Sequence, residues 1–87
     1  MRIWFKVVKD NHILSDLVIT RDEEDTRTHK IFGAIDDACM AFDLQHPIWL
    51  DNNIAEFKRY AKVRFNQDNY IEEIYFDYFE LEVLDED

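Results

Sequence analysis

Residues 66–87, NQDNYIEEIYFDYFELEVLDED, carry nine carboxylates and no lysine or arginine, yet ten of the residues from position 70 onward are aliphatic or aromatic. Such a segment can fold only against a chain that covers Phe76, Phe79, Leu81 and Val83 with apolar surface and sets cations opposite Glu80 and Glu82, because like charges facing one another destabilise a sheet. All ten basic residues lie upstream of it. The apolar share of 47% and aromatic share of 15% are too high for a disordered chain despite the net charge of -10. At 87 residues the chain can bury one core without disulfides or metal, with little left for a roomy substrate cavity. A single domain over 1–87 is expected, with an acidic tail from about residue 85.

Residues 2–9 (RIWFKVVK) and 13–20 (ILSDLVIT) are rich in β-branched and aromatic types and read as a hairpin closed by the three-residue loop Asp10, Asn11, His12. Parity selects that loop. Three residues place Ile3, Phe5 and Val7 on one face with Ile13, Ser15, Leu17 and Ile19, whereas two would bring Asp16 into the core. Trp4, Lys6, Val8, Leu14, Asp16 and Val18 then fall on the opposite face. If helices cover only one side of the sheet, Trp4, Val8, Leu14 and Val18 form an apolar patch of the kind that marks an interface.

RDEED at 21–25 is an acidic loop, after which Asp25, Thr26 or Thr28 can cap a helix over about 28–44. Its stripe is Ile31, Ile35, Ala38 and Phe42, with Phe32 and Cys39 on the same arc, so Cys39 reads as core. His46-Pro47 ends the helix and Pro47 to Leu50 makes an extended apolar clip. Asp51 or Asn53 can open a second helix, with Ile54, Phe57, Ala61 and Phe65 as its buried stripe. Lys58, Arg59 and Lys62 form a basic face on it, with Arg64 beside them and Tyr60 and Trp49 nearby.

The order is therefore ββααβ, an α+β fold. Counting chain directions gives a three-stranded sheet of order 2-1-3 with both helices on one face and the last strand parallel to the first. Arg2 and Lys6 then lie between Asp16 and Glu80 or Glu82. In the last strand, Ile74, Phe76 and Tyr78 have one parity and Phe79, Leu81 and Val83 the other, so a bulge near Asp77 and Tyr78 is expected.

No catalytic constellation is visible. Ser15 faces the core in this reading, Cys39 is buried, and the histidines at 12, 29 and 46 make no pair at metal-ligand spacing, so neither metal nor cofactor is expected. With Gly33 alone, no glycine-rich phosphate loop can form. The net charge disfavours nucleic acid as a partner and favours basic protein surface. A lone cysteine and the lack of an N-terminal apolar run fit the cytoplasm, and no stretch approaches membrane-spanning length.

The runs TRTHKIF, PIWLD, FKRYAKVRF and YFELEVLDED resemble a group of small acidic proteins from low-GC Gram-positive bacteria, over most of the chain. The resemblance implies a bacterial cytoplasmic origin and carries no activity or site residue across. The residues themselves point to a non-catalytic interaction or regulatory module, binding a protein partner or a second copy through Trp4, Val8, Leu14 and Val18. An acidic mimic of nucleic acid, working through carboxylates in 66–87, and a small enzyme are the alternatives.

Overall fold

The computed structural model describes residues 1–86. The hairpin is present as β1 (Arg2–Lys9) and β2 (His12–Thr20). Its turn is shorter than expected: Asp10 and Asn11 alone connect the strands, both left-handed at φ 52° and 63°, as a twist-matched two-residue hairpin turn requires. Parity survives because β2 bulges. Val7 faces Ser15 while Val8 faces Ile13, which leaves Leu14 as the extra residue. Ile3 therefore still faces Ile19 and Phe5 faces Leu17, but Ile13, opposite Val8, departs from the core set. Asp77 braces the turn, its carboxylate accepting from the Asp10 N–H at 2.8 Å while its own N–H donates to the Val8 carbonyl at 2.9 Å.

Helix α1 spans Arg27–Phe42. Thr26 is the cap, Oγ1 accepting from the His29 N–H at 3.2 Å, and Asp25 holds the His29 ring at 2.9 Å. Ile31, Ala34, Ile35, Ala38 and Cys39 are buried, whereas Phe32, expected on the same arc, is exposed. Gly33 lies under Arg21, whose guanidinium would come within 2.6 Å of a Cβ there, and Arg21 bridges Glu23 and Asp37 from that position. The helix closes at Asp43, left-handed at φ 56°, before Pro47.

Helix α2 spans Asp51–Tyr60 and is shorter than its apolar spacing predicts. Ala61 takes the left-handed conformation at φ 53°, and the next four residues form a strand, β3 (Lys62–Phe65). The expected continuation to Phe65 is thus corrected. KVRF fits both periods, since Val63 and Phe65 are buried on alternation as readily as Ala61 and Phe65 fall on a helical stripe.

A 3₁₀ turn at Gln67–Asn69 follows, and then an irregular segment to residue 77 before β4 (Tyr78–Asp85). The expected bulge near 77 and 78 is replaced by this departure from the sheet: Tyr70 and Phe76 are buried while Ile71 and Tyr75 point outward. The sheet has four strands in order β2-β1-β4-β3, every neighbouring pair antiparallel. Three strands, order 2-1-3 and a parallel last strand are therefore corrected to ββααββ. The unforeseen β3 reverses the direction in which β4 enters.

Both helices pack on one face, as expected. Rows Val7-Phe79-Phe65 and Phe5-Leu81-Val63 cross β1, β4 and β3 beneath them. Phe79 is the hub, stacked on Phe5 at 5.6 Å between ring centroids and meeting Phe42 and Phe65 at 6.3 Å. Trp49 of the clip packs edge-on to Phe65 at 4.9 Å. Among the described residues no helix lies over the opposite face of the sheet.

Candidate functional site

The uncovered face and the β2 edge hold the residues that sequence reasoning assigned to partner binding. Trp4 lies half-buried in β1. Its indole N–H donates to Asp16 Oδ2 at 3.0 Å and its ring carries the Lys6 ammonium 3.7 Å from the centroid. Val8 is buried, so it supports this surface and offers little contact. Leu14 and Val18 are 49% and 46% exposed, and Ile13, which the bulge moves to this side, is 51% exposed. The four expected residues therefore share a face but not a role. The accessible apolar surface runs along β2, and Ile13 was missed because only the bulge at Leu14 puts it there.

Strand β2 is outermost and pairs only with β1. Ser15 is exposed, whereas Leu17 and Ile19 are partly covered on the side where α1 approaches β2. Among the described residues no strand pairs with the outer row of β2 backbone donors and acceptors.

Beyond Trp4 the same face becomes ionic. Glu80 sits in register between Lys6 and Arg64. It accepts from Arg64 Nε at 2.8 Å and pairs with Lys6 Nζ at 2.5 Å, while Lys6 also reaches Glu82 at 3.2 Å. The Arg64 guanidinium lies over the Tyr78 ring, 4.3 Å from its centroid. Burial works against the Glu80 charge, but hydrogen bonds from Lys6 and Arg64 outweigh it and hold the carboxyl below its ordinary range. For Lys6 burial likewise opposes the charge, and the two glutamates overcome it and raise the pKa. The acidic strand thus meets cations from both neighbours.

The basic face over Lys58, Arg59 and Lys62 is divided by the helix end. Lys58 and Arg59 are exposed on α2, whereas Lys62 belongs to β3 and stands opposite Glu82. Arg59 packs over Tyr60 at 5.3 Å. At the tail, Arg2 pairs with Asp85 and Arg27 with Glu86, and Asp87 lies outside the described residues.

Among the described residues no three His, Cys, Asp or Glu side chains gather as a metal site. Cys39 is buried, its thiol 3.7 Å from the Gln45 carbonyl, and burial first and Asp36 second push its pKa up to about 11. That suppresses thiolate at neutral pH. His46 pairs with Asp36 at 2.7 Å and lines the same hollow as Cys39, while His29 pairs with Asp25. No described helix is long and apolar enough to cross a membrane.

One hollow was not anticipated. Between α1 and α2 a cleft of about 260 Å³ is lined mainly by Ile31, Phe32, Trp49, Ile54 and Phe57, with Arg27 and Lys58 beside them. The exposed Phe32 was its sequence signal, hidden because helical spacing put that residue on the buried arc.

These features define a small α+β domain with an antiparallel four-stranded sheet, helices on one face and a free apolar edge strand. No family model, curated protein or solved structure was found to match the chain.

Proposed function

We propose that the protein is a non-catalytic interaction module that extends its sheet at the free edge of β2, and that the strand it accepts is β2 of a second copy. The observation that carries this reading is the unpaired outer edge of a nine-residue strand whose Ile13, Leu14 and Val18 are about half exposed. Such an edge is a template for another strand unless it is short, charged or covered.

Two blunting devices are present, and neither closes the edge. The bulge at Leu14 lies near one end and leaves 15–20 regular. Asp16 is the strand's single carboxylate, and the Trp4 indole already engages it. In a chain of net charge -10 this is a place where a like-charged copy can approach with little repulsion.

A two-fold axis through Leu17 gives a consistent register. Asp16 then faces Val18 of the other copy and Ser15 faces Ile19, so no carboxylates oppose and both helical layers stay on one side. That is the self-complementary geometry of a two-fold dimer. The rival reading, phosphate mimicry by Glu80 and Glu82, has less support because both carboxylates already receive Lys6 and Glu80 also receives Arg64.

Sedimentation equilibrium across a concentration series tests the proposal. A monomer–dimer equilibrium is expected, abolished by Val18→Asp, which sets two carboxylates opposite one another on each side of the axis, with the circular dichroism spectrum unchanged. A strict monomer up to millimolar concentration, or a dimer indifferent to Val18→Asp, overturns it.

A further inference from the structure

We infer that the cleft between α1 and α2 is a binding site for a small apolar carboxylic acid, one aromatic ring or short branched chain ending in a carboxylate. The cleft is built by helical spacing. Arg27, Thr28, Ile31 and Phe32 lie along one side of α1, and Ile54, Phe57 and Lys58 along the facing side of α2, with Trp49 of the clip between them. Trp49 meets Phe32 edge-on at 6.2 Å and Phe57 at 5.8 Å, which gives the ligand aromatic walls. Phe32 and Ile54 remain exposed on opposite helices, 47% and 41% accessible at the cleft. At about 260 Å³ the hollow is smaller than the roughly 300–1,000 Å³ of drug-sized sites, so it suits one ring or branched chain and excludes a nucleotide or flavin.

Charge selects the acid. Arg27 and Lys58 flank the apolar wall from different helices, and the cleft lining contains no carboxylate. Among the described residues Lys58 forms no ion pair, which leaves a cation available at the mouth. Arg27 lies over the Phe57 ring at 4.8 Å and gives its Nε–H to Glu86. The chain thus already places a carboxylate on one of the two cations, from its own acidic terminus. A ligand carboxylate would take the place of Glu86 on Arg27 or bind Lys58 beside it. An amine ligand would instead need Glu86 as its counter-ion, so removing that charge acts in opposite directions on the two classes.

Titration of the full chain with 3-phenylpropionate and with its neutral primary amide, followed by NMR of the isoleucine methyls and tryptophan indole N–H groups, tests this. Saturable shifts at Ile31, Ile54 and Trp49 are expected, with Trp4 on the far face of the sheet unmoved. The acid should bind about fivefold or more tighter than the amide, the difference made by a charge-assisted contact. Lys58→Met should weaken the acid and leave the amide unchanged, and Glu86→Gln should strengthen the acid severalfold. Equal affinity for acid and amide, weakening by Glu86→Gln, or no saturation at the cleft overturns the inference. Cleft shifts that depend on protein concentration without added acid would mean that another copy fills it, and would overturn it too. Strand addition at β2 lies at the sheet edge, so either proposal can fail without the other.

Discussion

The Asn69 side-chain amide donates to Asn53 Oδ1 at 2.6 Å, and both asparagines are only 2% exposed. Around this contact four segments are tied together. Asn53 Oδ1 also accepts from the Leu50 N–H at the start of α2, and its own amide reaches the Arg64 carbonyl in β3 at 3.3 Å. Asn69 donates to the Ile48 carbonyl at 2.8 Å and accepts from the Asn66 N–H at 2.9 Å, while the Ile48 N–H donates back to the Asn69 carbonyl. The pair does for clip, helix, strand and turn what a longer chain would do with more core.

Truncating either asparagine strands buried partners, which costs about 1–3 kcal/mol for an unsatisfied group. Asn53→Ala and Asn69→Ala should each lower unfolding free energy by about 2 kcal/mol in urea titrations. The double variant should lose less than the two losses added, with a coupling of about 1 kcal/mol. Strict additivity would mean that the two side chains act independently.

The Glu80 site gives a pH prediction with a defined sign. Its folded pKa is depressed, so its contribution is present above the unfolded value near 4.3 and is lost as pH falls through the lower folded value. Stability should fall below about pH 4.5 and Glu80→Gln should flatten that part of the profile. Lys6 has the opposite linkage: its raised pKa makes a contribution that is present below about 10.4 and is lost at higher pH. Lys6→Met leaves Glu80 with Arg64 alone and should cost about 3 kcal/mol, whereas Lys6→Met with Glu80→Leu should recover most of it. Thermal melts across pH measure all three.

Four described residues other than glycine are left-handed, Asp10, Asn11, Asp43 and Ala61, and two of them make a test. Ala61 and Asn11 are both left-handed, a conformation costing an L-residue such as alanine about 1–2 kcal/mol and glycine little. Ala61→Gly should raise stability by about 1 kcal/mol, and Asn11→Gly, giving an Asp-Gly turn, by about half that because asparagine tolerates this region. A loss at either position would mean that its side chain contributes more than its backbone costs.

Native Cys39 should resist thiol reagents at pH 8. A thiol with a pKa pushed up to about 11 is about one part in a thousand thiolate at that pH, and its sulfur is buried as well. Labelling with iodoacetamide should proceed only as fast as the chain opens and should accelerate in urea. Rapid labelling without denaturant would contradict the core placement.

The elements that proved legible were those whose signal is local. The faces of β1, a cap among Asp25, Thr26 and Thr28, and the burial of Cys39 follow from parity, capping chemistry and helical spacing within a few residues, whereas α1 ends at Phe42, short of the stop expected at Pro47. The pairing of Lys6 with Glu80 was also readable, because so acidic a strand must meet cations. The misplaced elements depended on distant choices. Ala61 carries no stop signal, and KVRF satisfies helical and extended periods equally, so only its fit against Val63-Leu81 and Phe65-Phe79 makes β3 a strand. The Leu14 bulge likewise depends on Asp10 and Asn11 both accepting positive φ.

The candidate surfaces divide the same way. Trp4, Leu14 and Val18 could be placed on one face from the hairpin alone, but that Val8 is buried and Ile13 exposed depends on neighbours supplied by β4 and on the bulge. Arg27, Phe32, Trp49 and Lys58 lie far apart in sequence and meet only because α1 and α2 cross the same sheet. The sequence by itself determined most of the residues that seek burial, and that a basic partner must stand beside residues 80 and 82, since each is a matter of side-chain chemistry and local geometry. Only the tertiary structure decided the fourth strand, the antiparallel entry of β4 and the cleft, because these are set by which surfaces remain after distant segments have competed for the same core.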